Sequence, residues 1–132
     1  MIYLPVNREG LIDLKKLKEA LNEWTVLVSI MYANNEVGTI QPISAITKII
    51  KEFRIKNLEF RANNNPQSSI LNPQFYPLLH TDAVQAFQYL DCNVNKLGVD
   101  FMTLSGHKIY GPKGIGLLYR RIQNKELRIK DF

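Results

Sequence analysis

Apolar positions along the chain follow two alternating rhythms. Residues 2–6 read as a short strand, after which Asn7-Arg8-Glu9-Gly10 supplies turn chemistry. Asp13 is placed to cap a helix, and Leu14, Leu17, Ala20, Leu21 and Trp24 recur behind it at helical spacing. Residues 25–32 are apolar almost throughout and rich in β-branched side chains, the pattern of a strand buried on both faces of a parallel sheet. Asn34-Asn35 ends that run. Pro42 is pre-set for the first turn of a second helix, whose apolar stripe is Ile43, Ile46, Ile49, Ile50 and Phe53.

The rhythm breaks after Lys56. Residues 62–79 hold no charged side chain and three prolines, a composition that disfavours a regular helix or a central strand, so a loop insertion is expected over 57–79. A strand resumes near residue 78 and ends at Asp82, with a short helical stretch expected from Ala83. Residues 100–104 read as another strand and residues 117–120 as the last, with a Gly-rich turn, 105–116, between them. Strands alternating with helices predict an α/β fold built on a mainly parallel sheet with flanking helices. In such sheets a ligand lies beyond the carboxyl ends of the strands, and three polar clusters fall there: Asn34-Asn35-Glu36, residues 82–85 and residues 105–108.

Composition narrows the function classes. The chain has 132 residues, 45% of them hydrophobic, and a formal charge of +5, which suits one domain at most. No apolar run approaches the roughly 20 residues of a membrane span, and the first residues lack a basic segment followed by a long apolar one, so a protein that is neither exported nor membrane-bound is expected. The single cysteine, Cys92, excludes an intrachain disulfide framework and a multi-cysteine zinc site. Much of the positive charge sits at the end, where Arg120, Arg121, Lys125, Arg128 and Lys130 face only Glu126 and Asp131. Such a run reads as solvated surface. No aromatics alternate with basic residues as a single-strand platform requires, so nucleic acid is not an expected partner.

The polar clusters suit one chemistry in particular. A lysine held by a Gly-rich turn at a strand end, beside a hydroxyl and an imidazole, can form a Schiff base with an aldehyde. Pyridoxal 5′-phosphate uses such a lysine, and a carboxylate such as Asp82 favours protonation of its pyridine nitrogen. Its phosphate needs donors of the kind Ser105, His107 and the loop amides offer. Two other phosphate motifs fail on the letters. Gly106 and Gly111 have P-loop spacing, but Pro112 and Lys113 stand where Lys and Ser or Thr are required, and Gly111, Gly114 and Gly116 are not spaced as a dinucleotide fingerprint.

Three ordered motifs carry a family likeness: Ala33-Asn34-Asn35-Glu36-Val37-Gly38 with Gln41 downstream, His80-Thr81-Asp82-Ala83-Val84-Gln85-Ala86, and Ser105-Gly106-His107-Lys108-Ile109-Tyr110-Gly111-Pro112-Lys113-Gly114 after Leu97-Gly98-Val99-Asp100. Together they resemble the cysteine desulfurases, in the class V aminotransferase group of fold type I pyridoxal phosphate enzymes. The resemblance implies that Lys108 carries the cofactor and moves protons at the substrate carbon. It also implies that Asp82 pairs with the pyridine nitrogen, Gln85 bonds the ring hydroxyl oxygen, Ser105 and His107 hold the phosphate, and Asn35 lies near the ring hydroxyl and substrate carboxylate. The implied reaction moves sulfur from L-cysteine to an enzyme persulfide, with alanine as product, for iron–sulfur or thio-cofactor synthesis. The implied partners are a second subunit in the complete enzyme and a sulfur-acceptor or scaffold protein, in the cytoplasm or an organelle matrix.

Each assignment has a plainer competitor. Lys108 alone reads as a solvated lysine, Asp82 as the cap of the stretch that follows, Gln85 as a surface residue, and Asn34 and Glu36 as turn formers. His80 reads as structural. Cys92 precedes Lys108 by 16 positions, whereas the family's sulfur-accepting cysteine follows the lysine, so Cys92 reads as an inert, partly buried thiol. The resemblance further implies that the chain opens midway through a large cofactor-binding domain, with the N-terminal part and the small C-terminal domain lying outside it. Two alternatives stay open at this point: a selenocysteine lyase or other class V enzyme, and a non-catalytic remnant acting through a partner. Strand edges left unpaired by such a division are expected to favour poor solubility or dependence on a partner.

Overall fold

Asp13 opens the first helix as its sequence position suggests: the carboxylate accepts from the amides of Lys15 and Lys16, and α1 follows over Leu14–Ala20. The computed structural model describes residues 1–64 and 76–122, with side chains described outside 59–75. After α1 come β1 (Leu27–Met31), α2 (Ile43–Asn64), β2 (Leu78–Asp82), α3 (Val94–Leu97), β3 (Phe101–Ser105), a 3-10 turn (Gly106–Ile109) and β4 (Gly116–Arg120).

The four strands form one sheet in sequence order. β1, β2 and β3 are parallel, with Ile30 opposite Thr81 and Thr81 opposite Met102, and β4 returns antiparallel to β3. The strand period of two divides each strand between faces. Val28, Ile30, Leu79, Thr81 and Met102 are buried on one face. Thr81 satisfies its hydroxyl on the Ile30 carbonyl at 2.9 Å, and the four apolar residues join the stripe Ile43, Ile46, Ile49 and Ile50 of α2 in a single core cluster. Each such side chain contributes about 1.5–3 kcal/mol by leaving water, which is what holds the helix to the sheet.

Two polar devices fix the ends of these elements. Arg54 of α2 donates through Nε to the carbonyl of Pro77 at 3.0 Å and pairs with Asp100, whose Oδ2 also accepts from the Leu79 amide at 2.8 Å. One guanidinium thus ties the helix to the starts of β2 and β3. Thr47 Oγ1 donates to the Leu97 carbonyl at 2.6 Å, and Gly98 ends α3 in the left-handed region, φ 71°. A Cβ there would stand 2.7 Å from Thr47 Cγ2, so both backbone sign and space require glycine.

Several expectations need correction. Residues 2–6 form no strand, and Val6 makes only an isolated bridge to Ile12. β1 is buried on one face, not both: Val28 and Ile30 point into the core, whereas Leu27 points to the opposite face and is 52% exposed. α2 runs on to Asn64, so residues 57–64 are helical and not loop, while residues 65–75 of the expected insertion lie outside the described residues. The stretch from Ala83 makes turns, with Phe87 and Leu90 amides bonding Ala83 and Ala86 carbonyls, and no regular helix. α3 was not expected. Arg121 is no solvated tail residue, since its guanidinium donates to the carbonyls of Val99 and Val94. Arg120 ends β4 and is exposed, and residues 123–132 of the basic tail lie outside the described residues.

Candidate active site

Because β1, β2 and β3 are parallel, their carboxyl ends share one edge of the sheet, and the three polar clusters follow those ends. Backbone bonds lock the edge: the Tyr32 amide donates to the Asp82 carbonyl at 2.8 Å, and the Ala83 amide to the Thr103 carbonyl at 3.0 Å. Asp82 pairs in register with Thr103, so Asp82, Thr103 and Ser105 share the sheet face opposite the core.

β3 runs straight into the turn that bears the lysine. Ser105 Oγ lies 2.8 Å from His107 Nδ1, which couples the hydroxyl and imidazole into one polar unit at the strand end. Lys108 follows in the 3-10 turn and is exposed. The loop folds back on itself: the Gly106 amide donates to the Ile115 carbonyl at 2.9 Å and the Gly111 amide to the Gly106 carbonyl at 2.8 Å. A Cβ on Gly111 would meet Gly106 O at 2.9 Å, a backbone atom with nowhere to go. Tyr110 takes the left-handed region at φ 61°, which closes the 3-10 turn.

Asp82 caps the turn after β2, as its plainer reading expects, since Oδ1 accepts from the Val84 amide at 2.9 Å. Gln85 is half-buried in that turn and Asn35 is exposed in the turn after β1. Asn34 shapes the latter turn, accepting from the Glu36 and Val37 amides at 2.9 Å. Among the described residues no hydrogen bond joins Asn35, Gln85 or Lys108 to Asp82, Ser105 or His107. The structure thus brings Asp82, Ser105, His107 and Lys108 to successive positions along one edge, with Asn35 and Gln85 on adjoining turns. A cavity of about 780 Å³ between residues 1–4, α1 and β1 reaches Asn34 and Glu36 of the first polar cluster but includes none of Asn35, Asp82, Gln85, Ser105, His107 or Lys108.

His80, expected to be structural, has a hydroxyl partner on each ring nitrogen. Ser29 Oγ lies 2.8 Å from Nδ1 and Thr103 Oγ1 lies 3.3 Å from Nε2. Burial pushes its pKa below the ordinary 6.5, with Asp82 pulling the other way. The signal available in sequence was parity alone: His80 and Asp82 are two apart, hence on one face. Cys92 is half-buried, and burial followed by the charge of Asp91 pushes its thiol up, which agrees with an inert role.

The family model for aminotransferase class-V matches residues 1–58 and 73–128. The chain belongs to the aminotransferase class-V family. The class-V match pauses over residues inside the expected insertion. Cysteine desulfurase IscS of Dictyoglomus turgidum is 46% identical over 119 residues, 90% of this chain and 25% of that protein. The mitosomal cysteine desulfurase of Trachipleistophora hominis is 44% identical over 119 residues, 90% of this chain and 22% of that protein. Among solved structures, SspA in complex with cysteine superposes with a TM-score of 0.71 at 37% identity, covering 90% of this chain and 28% of that one. The chain spans about a quarter of the length of the curated class-V relatives it matches. Among the described residues no helix is long and apolar enough to cross a membrane, and no group of three or more His, Cys, Asp or Glu is placed to hold a metal ion.

Proposed function

We propose that this chain is the cofactor-anchoring part of a pyridoxal 5′-phosphate-dependent cysteine desulfurase. The reaction takes sulfur from L-cysteine, releases alanine and passes the sulfur on as an enzyme persulfide to an acceptor or iron–sulfur scaffold protein. The complete enzyme is a homodimer of the cytoplasm or an organelle matrix; relatives named for mitosomes and mitochondria support the second compartment. The cysteine complex of SspA supports cysteine as the substrate class.

The observation that carries this reading is the shared sheet face on which Asp82 and Ser105 end neighbouring parallel strands, with the Ser105–His107 pair and Lys108 in the turn that follows. The donor set fits the group. A carboxylate suits a basic ring nitrogen, the hydroxyl–imidazole pair suits a phosphate, and an exposed amine suits an aldehyde. When bound, the cofactor supplies an electron sink for negative charge at the substrate α-carbon. Asp82 would hold the proton on the ring nitrogen, Gln85 would donate to the ring hydroxyl oxygen, and Ser105 with His107 would hold the phosphate. Asn35 would lie by the ring hydroxyl and the substrate carboxylate. Lys108 Nζ would anchor the cofactor and carry a proton at the substrate carbon, a role its exposure permits because it can swing between two partners.

The test is borohydride reduction of the full chain mixed with the cofactor, followed by peptide mapping. A reduced adduct on Lys108, absent from Lys108→Ala, is the expected result. Adducts on other lysines with Lys108 unmodified would overturn the assignment.

A further inference from the structure

His80 has no part in the machinery just described, yet it bridges all three parallel strands at the level just before Asp82. Its ring meets Ser29 of β1 through Nδ1 and Thr103 of β3 through Nε2. Both partners are uncharged hydroxyls, and among the described residues Asp82 is the ionised group whose charge acts on the ring. A hydroxyl can donate or accept, so the imidazole finds a partner at both ends in either charge state, and it is burial that disfavours the imidazolium. Asp82 follows two positions on, which the pleat places on the same face and one step nearer the carboxyl edge.

We propose that His80 is a positioning residue for Asp82: Ser29 and Thr103 hold an uncharged imidazole beside the carboxylate's strand position, which leaves the negative charge of Asp82 for a cationic ring nitrogen at the sheet edge. The inference rests on the reading of Asp82 as partner of that nitrogen. An imidazolium at the same place would compete for the carboxylate. The grip on the cofactor therefore weakens as pH falls through the His80 titration.

The test labels the imidazole nitrogens of the full chain with ¹⁵N. The chain has two histidines, so His107→Gln assigns both signals. His80 is expected to titrate below 6.5 and to move lower still in Asp82→Asn, where the charge that favours imidazolium is gone. An ordinary midpoint that Asp82→Asn leaves in place would overturn the proposal. This arm leaves His80 itself intact, so it reads even where a His80 variant folds poorly. In the second arm, pyridoxal phosphate affinity is followed by absorbance across the same pH range. A several-fold loss through the His80 midpoint, missing in His80→Asn, is expected; equal acid losses in both proteins would count against the idea. If neither protein binds the cofactor at any pH, the proposal that this chain anchors the cofactor by itself fails, while the nuclear magnetic resonance arm still decides whether His80 and Asp82 are coupled.

Discussion

Asp82 has one observed role and one proposed role, and a single substitution divides them. Its Oδ1 accepts from the Val84 amide, and its proposed role is to partner the cofactor's ring nitrogen at the sheet edge. Asp82→Asn keeps an acceptor oxygen and removes the charge, so thermal unfolding should shift by no more than about 0.5 kcal/mol. Cofactor affinity measured by absorbance should fall at least tenfold. Cys92 gives a second residue-scale prediction. Burial and Asp91 raise its pKa from 9.0, so the thiol stays protonated at neutral pH. Iodoacetamide at about pH 8 should modify it more slowly than a free cysteine, and urea should abolish the difference. The capping role of Asp82 was legible because a cap is a contact between near neighbours. The surroundings of His80 were not, because Ser29 lies 51 positions away and Thr103 lies 23 away.

At the scale of elements, local signals placed the starts of α1 and α2 and the strands β2, β3 and β4, whereas the spacing that continued to Trp24 overran α1, which ends at Ala20. Asp13, the isoleucine stripe and the Gly-rich turn each act within a few residues. The end of α2 was misjudged because Asn-rich composition lowers helix propensity without forbidding the helix, as proline does. Arg54 and Asp100 make an element-scale prediction. Their side chains are 12% and 3% exposed, and the guanidinium joins α2 to the starts of β2 and β3. Arg54→Ala removes that guanidinium from a buried carboxylate and from the Pro77 carbonyl, and should cost about 3 kcal/mol in urea unfolding. Arg121 was read as tail charge for the same reason that Arg54 was not singled out: a cation's partners, here backbone carbonyls of Val94 and Val99, are invisible to spacing.

For the molecule as a whole, the sheet has two open edges among the described residues. Leu27 of β1 and Leu117 and Leu118 of β4 are 52%, 56% and 61% exposed. Such edges invite pairing with another chain. The full chain should therefore self-associate with rising concentration in sedimentation velocity, and Leu27→Lys with Leu118→Lys should suppress it. Sequence alone determined the alternation of strands and helices, the family motifs and the identity of the groups at the strand ends, because each rests on neighbours a few positions apart. The tertiary structure decided which face of each strand is buried, and that Asp82, Thr103 and Ser105 share the other. It also set His80 between two hydroxyls. Those facts depend on register between strands far apart in the chain, and register is set only when the core packs.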